Sequence, residues 1–217
     1  MPDRVMRAMM KPIINHRGPD FASLLEGIEE NLKYVFQTKN DVFVLTSSGT
    51  GGVTCAVGNI VNPGDRIITP VYGVFSERLK EKVVSFGGKP TELPIEWNDA
   101  PTTEQIAKVA EKEKDAKAIA IIYNETSTGA TVRDLPEIGK IAKENDMLLI
   151  VDAISILGGD YLQVDEWGVD ICVTGSQKCI ACPPGVAMIS VSPKAWEVVE
   201  KTKVRPYYFD LPEVKEF

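Results

Sequence analysis

Apolar residues in this chain fall into short runs separated by longer stretches of mixed character, and two periods account for them. The short runs lie at Val42–Leu45, Arg66–Thr69, Lys89–Leu93, Ala118–Tyr123, Met147–Asp152, Ile171–Gly175 and Val186–Val191. Their length and, in all but Lys89–Leu93, their Val and Ile content predict strands. Between them, apolar positions recur three and four apart, which is helical spacing. The clearest case is Phe21 to Phe36, where Leu24, Leu25, Ile28, Leu32, Val35 and Phe36 fall on one stripe. Further helical patterns cover Thr50–Val61, Val74–Ser85, Thr103–Lys112, Leu135–Asn145 and Ala195–Lys203, the last expected to lead away from the sheet. Asn62-Pro63-Gly64-Asp65 is a turn, because Pro presets φ and Gly accepts positive φ. Strand runs flanked by helices predict an α/β fold: a mostly parallel seven-stranded sheet covered by helices on both faces, in three layers. No internal repeat or low-complexity linker interrupts the order.

Composition narrows the class. The chain has 217 residues, enough for one large or two small domains, and its 44% hydrophobic content can fill a core. A formal net charge of −7 argues against nucleic acid or an anionic membrane as partner. No apolar run approaches a membrane span, and Met1 to Arg17 is charged throughout, so a cytoplasmic protein is expected. Cys55 and Cys172 sit in apolar patterns and read as buried thiols. Cys179-Ile180-Ala181-Cys182 is a C-x-x-C, but His16 is the only histidine, so the ligand count for a closed metal site falls short. The plainer reading is small residues packing under a loop.

Three segments carry candidate chemistry. Thr174-Gly175-Ser176-Gln177-Lys178-Cys179 places one lysine just after an apolar strand and before Pro183-Pro184-Gly185. Such an amine can form a Schiff base with an aldehyde; a solvated loop lysine is the ordinary alternative. Leu149-Ile150-Val151-Asp152-Ala153 puts a carboxylate at the C-terminal end of a strand, where open α/β sheets bind ligands. A turn-capping role would equally suit an aspartate. Thr46-Ser47-Ser48-Gly49-Thr50-Gly51-Gly52 opens a helix with small residues and hydroxyls, which makes an anion site. Its spacing matches neither a P-loop nor a dinucleotide fingerprint.

With these segments in this order, the chain resembles the fold type I, class V pyridoxal-phosphate aminotransferases of the alanine–glyoxylate and serine–pyruvate type. The resemblance rests on Asn15-His16-Arg17-Gly18-Pro19-Asp20-Phe21, Tyr34-Val35-Phe36-Gln37-Thr38, Ser48-Gly49-Thr50, Asn124-Glu125-Thr126-Ser127-Thr128-Gly129, Val151-Asp152-Ala153 and Gly175-Ser176-Gln177-Lys178. It implies that Lys178 binds pyridoxal 5′-phosphate covalently and that Asp152 pairs with the ring nitrogen. It places Ser48, Gly49 and Thr50 at the phosphate with Gln177 nearby, and Thr126 or Ser127 on the ring's hydroxyl side. Phe75 takes the place of the family's stacking tryptophan. It further implies transamination between alanine or serine and glyoxylate or pyruvate, by a homodimer with residues 1–20 near the interface. Residues 21–192 would form the cofactor-binding domain and 193–217 the start of a connection to a smaller C-terminal domain.

Two departures from the family pattern stand out. The family pattern has a short Gly-Pro-rich segment before the equivalent of Pro2, which is not among these residues. It also has a C-terminal domain carrying the arginine for the substrate carboxylate, and by the resemblance no residue among these 217 takes that role. A non-catalytic fragment, an aspartate or aminoethylphosphonate aminotransferase, and a cysteine desulfurase therefore stay as alternatives.

Overall fold

The computed structural model describes residues 1–216. In chain order the helices and strands are α1 (Asp3–Met9), α2 (Pro19–Phe36), β1 (Asp41–Thr46), α3 (Gly49–Gly58), β2 (Arg66–Val71), α4 (Val74–Ser85), β3 (Lys89–Pro94), α5 (Thr103–Lys112) and β4 (Ala116–Ile122). A two-stranded hairpin follows, β5 (Asn124–Glu125) with β6 (Ala130–Thr131). Then come α6 (Leu135–Glu144), β7 (Leu148–Asp152), β8 (Ile171–Gly175), β9 (Val186–Val191), α7 (Pro193–Lys201) and α8 (Leu211–Glu216), with a 3-10 turn at Tyr207–Phe209.

The seven main strands form one sheet in the order β1-β9-β8-β7-β4-β2-β3. β9 runs antiparallel to both of its neighbours, and the other pairings are parallel. The sheet interior is built from Ile67, Ile119, Ile121, Leu149, Val151, Ile171 and Ile189, all buried. That explains why the central strands read as continuous apolar runs instead of alternating ones. β3 differs: it lies at the edge, contains Pro90 and Pro94, and is only partly covered. Proline is tolerated there because an edge strand has spare N–H positions.

Register assigns the two layers of helices. Asp152 pairs with Val173, so both side chains point to the same face. A Cβ at Gly52 of α3 would stand 2.7 Å from Val173, which places α3 on the Asp152 face. Leu149 points to the opposite face, and α6 packs there, since a Cβ at its Gly139 would stand 3.7 Å from Leu149. α4 packs beside α3, and α5 beside α6. The Asn62–Asp65 turn forms as the residue types require, with Asp65 N–H donating to Asn62 O at 3.0 Å and Gly64 at φ +93°.

The helix after Pro193 corrects one expectation. It begins at Pro193, capped by Ser192, and it does not lead away from the sheet. Trp196 packs edge-on against Phe43 of β1 at 5.9 Å and donates Nε1–H to Asp41, while Ala195 and Val199 are buried. The chain then returns, burying Leu211 of α8, whose N–H donates to Asn59. An apolar stripe of four residues on a helix is stabilised only when it is covered, and β1 offers the cover. α1, the β5–β6 hairpin and α8 were not anticipated.

Candidate active site

At the C-terminal ends of the parallel strands lies a cavity of about 200 Å³. Open α/β sheets place ligand sites at this edge. Its wall holds Ser48, Gly49, Thr50, Phe75, Thr126, Asp152, Gln177 and Lys178, residues that stand far apart in the chain.

The start of α3 follows β1 directly. Ser48 is the N-cap with extended backbone, yet its hydroxyl caps nothing. The first-turn N–H groups therefore stay open beside the hydroxyls of Ser48 and Thr50, at the positive end of the helix dipole. Glycine at position 49 accommodates a close approach: a Cβ there would lie 2.7 Å from Ile154 Cδ1, so the isoleucine would have to move. The helix start is thereby pressed onto the loop that follows β7.

That loop carries Asp152. Its Oδ1 accepts the Ile154 N–H at 3.0 Å. Its other oxygen has no hydrogen bond among the described residues, and Asp152 forms part of the cavity wall. Burial pushes this carboxyl up to about 6, against the pull of the Ile154 N–H and of Lys82. A half-buried carboxylate short of partners favours a cationic one.

Lys178 stands on the turn after β8 and is exposed. The turn is closed at its base. Cys182 N–H donates to Ser176 O at 2.9 Å, Ser176 Oγ donates to Pro183 O at 2.5 Å, and Ala181 takes φ +58°. Cys179 is exposed and its thiol donates to Ser155 O at 3.3 Å, so it is tied to the cavity rim instead of packing beneath the loop. Cys55 and Cys172 are buried, and burial pushes the Cys55 thiol up to about 12.

α4 forms the remaining wall. Phe75 lies on its first turn, and the Arg78 guanidinium sits over the Phe75 ring at 5.5 Å. Glu125 fixes this turn. It is fully buried and accepts the N–H of Ser76 at 2.8 Å and of Phe75 at 3.3 Å. Burial works against its charge, but these bonds and two from Ser127 outweigh it and hold the carboxyl below its ordinary range. Ser127, expected at the cofactor, is occupied elsewhere. Its hydroxyl donates to Glu125 at 2.6 Å and accepts the Val74 N–H at 2.9 Å, and it is not part of the cavity wall. Thr126 is in the wall. His16 lies away from it, in a groove between α2, β1 and α8.

Sequence reasoning missed several wall residues: Val53, Arg78, Leu79, Lys82, Asn124 and Ser155. The signal for Arg78, Leu79 and Lys82 was present, since they repeat the Phe75 face of α4 at helical spacing. Asn124 and Ser155 bridge the ends of β4 and β7 through an Nδ2–H to Oγ bond of 2.9 Å, which only the fold brings about.

Comparison with known proteins matches residues 5–216 to the model of the family described as aminotransferase class-V. The chain belongs to that family. It is 45% identical over its whole length to an uncharacterized aminotransferase of Methanocaldococcus jannaschii, covering 56% of that protein. It is 34% identical, over 97% of its length, to the L-aspartate–glyoxylate aminotransferase of Paracoccus denitrificans, covering 54% of it. The crystal structure of an alanine–glyoxylate aminotransferase from Nostoc superposes with a TM-score of 0.95 at 30% identity, covering 99% of this chain and 57% of that one. The chain thus spans about half the length of the relatives it matches. Class V aminotransferases are pyridoxal-phosphate enzymes. The cavity suits that group chemically. It offers an open helix start for a phosphate, a carboxylate short of partners for a ring nitrogen, an aromatic face and a lysine amine.

Proposed function

We propose that this chain is the cofactor-binding part of an aminotransferase that moves an amino group between a small amino acid, alanine or serine, and a 2-oxo acid, glyoxylate or pyruvate. The observation that carries the reading is the convergence of Lys178, Asp152 and the open start of α3 on one cavity. Bound pyridoxal phosphate supplies a reactive aldehyde and a ring that takes up the electron pair left when an α-proton departs. Lys178 Nζ would hold the group through its aldehyde, and the amine, once freed by the substrate, would serve as the base that removes and returns the α-proton. Asp152 keeps a proton on the ring nitrogen. The N–H groups of Gly49 and Thr50 and the hydroxyls of Ser48 and Thr50 take the phosphate, with Gln177 beside them. Phe75 supports the ring face, and Thr126 lies on the hydroxyl side with Ser127 acting behind it through Glu125.

Residues 21–192 form the binding domain in this reading. Two copies meet near residues 1–20, and the protein works in the cytoplasm. The two relatives named above carry glyoxylate in their printed names and differ in the donor, aspartate in one and alanine in the other, which supports the acceptor more than the donor.

Adding pyridoxal phosphate to the chain is expected to give the yellow absorbance of a lysine adduct, and Lys178→Ala is expected to lose it entirely. A variant as yellow as the parent would sink the assignment. Alanine with glyoxylate then tests turnover, and sulfide release from cysteine tests the desulfurase alternative.

A further inference from the structure

α4 turns Phe75, Arg78, Leu79 and Lys82 towards the cavity, at positions i, i+3, i+4 and i+7 of one helical face. This face is fixed in rotation. Leu79 and Val83 are buried, and Glu125 holds the first turn. Lys82 has an unusual setting for a lysine. It is half-buried, its Nζ–H donates only to Arg78 O at 3.4 Å, and it makes no ion pair among the described residues. Lysines normally run their stems along apolar surface and leave the ammonium in water. Here the residue lines the cavity, whose one carboxylate is Asp152, without closing an ion pair to it.

We propose that Lys82 is a positioning residue that acts through Asp152. Its ammonium keeps the carboxyl ionised while the site is empty, in the role that a protonated ring nitrogen takes over when the cofactor is bound. The charges around the pair support this arrangement. Burial is the largest influence against the Asp152 charge; of the charged groups around it, Lys82 from α4 and Lys178 from the turn after β8 favour that charge and Glu125 from β5 disfavours it. Burial pushes the Lys82 ammonium down; Asp152 opposes that shift, Arg78 adds to it, and Glu81 opposes it. Lys178 is exposed to solvent and screened, so the α4 ammonium is the less screened cation of the two. The consequence rests on the cofactor reading, but the coupling itself is a property of the empty chain.

The test is a carboxyl ¹³C NMR titration of the full chain without cofactor, with Asp152→Asn used to assign the signal. Lys82→Met is expected to raise the Asp152 midpoint by roughly one pH unit, the scale of a nearby charge. Lys82→Arg is expected to restore it. An unmoved midpoint in Lys82→Met overturns the proposal, as does an equal rise in both variants. Lys82→Gln gives the same reading if the methionine variant does not fold. In pyridoxal phosphate titrations followed by absorbance, the acid limb of the affinity profile should move up with the midpoint. A limb that stays in place while the midpoint moves overturns the link to the ring nitrogen. A chain that captures no pyridoxal phosphate at any pH refutes the proposed function instead, and the carboxyl titration still decides the coupling.

Discussion

Two helix starts border the same cavity, and they are finished in opposite ways. α4 begins at Gly73 and is closed by a buried carboxylate from another part of the chain, Glu125, which accepts its first N–H groups. α3 begins at Ser48, and no side chain closes it. The backbone physics is the same at both ends: unpaired N–H groups at the positive pole of a dipole. Where the sequence supplies an internal anion, the helix start becomes a rigid wall. Where it supplies only hydroxyls and glycine, the same groups stay free for an anion from outside.

Removing the internal anion should have the largest effect. Glu125→Ala strands the donors of Phe75, Ser76 and Ser127 and is expected to lower stability by about 3 kcal/mol, read from urea unfolding. A loss well under 1 kcal/mol would mean that α4 does not depend on its buried cap. The carboxylate at the open end of the cavity should behave in the opposite sense. Asp152 has a raised folded pKa of about 6, so the folded chain binds more protons than the unfolded one below that pH. Its contribution therefore favours folding in acid and is lost as pH rises through the window up to about 6. Glu125, held below its ordinary range, contributes stability above that range and loses it as pH falls. Asp152→Asn should accordingly stabilise the empty chain at neutral pH by about 2 kcal/mol, after allowance for water in the cavity. Equal stability of variant and parent across the acid range would remove the contrast between the two carboxylates. The smallest effect on folding belongs to Ser48→Ala. An N-cap serine that bonds its helix is worth about 1 kcal/mol. Ser48 makes no such bond, so the variant should unfold within about 0.5 kcal/mol of the parent and bind pyridoxal phosphate about tenfold more weakly. A stability loss of the ordinary N-cap size would show that the hydroxyl serves the helix after all.

Much of this arrangement was legible in the sequence. Runs rich in Val and Ile set six of the seven main strands to within a residue or two, because burial on both faces leaves a continuous apolar signal, whereas the edge strand β3 carries neither residue. Lys178, Asp152 and Ser48–Thr50 were readable because each follows a strand, and strand ends meet at one edge of such a sheet. What was not legible is what the folded chain alone brings together. Glu125 looked like one more polar residue of a loop motif, and nothing local marks it as the cap of a helix fifty residues earlier. Ser127 was read as a ligand residue for the same reason, while its hydroxyl serves that cap. Lys82 could have been found, since it lies on the helical stripe of Phe75. A charged residue on such a stripe reads as solvent-facing until burial is known. The antiparallel course of β9 has no signature in its own residues; it follows from the connection 176–185, which is too short for a crossover helix and ends on Gly185 at φ +121°.

The turn that carries Lys178 is stitched at its base by Ser176, Cys182 and Pro183. The backbone there has little play, so whatever distance the amine travels between binding partners is covered by its own four-carbon stem. Rotamer changes of an exposed side chain take picoseconds to nanoseconds. Enzymes of ordinary speed turn over in milliseconds to a second. Motion of the Lys178 stem is therefore far faster than ordinary enzyme turnover, so reach and not speed is what the stitched turn imposes on this amine.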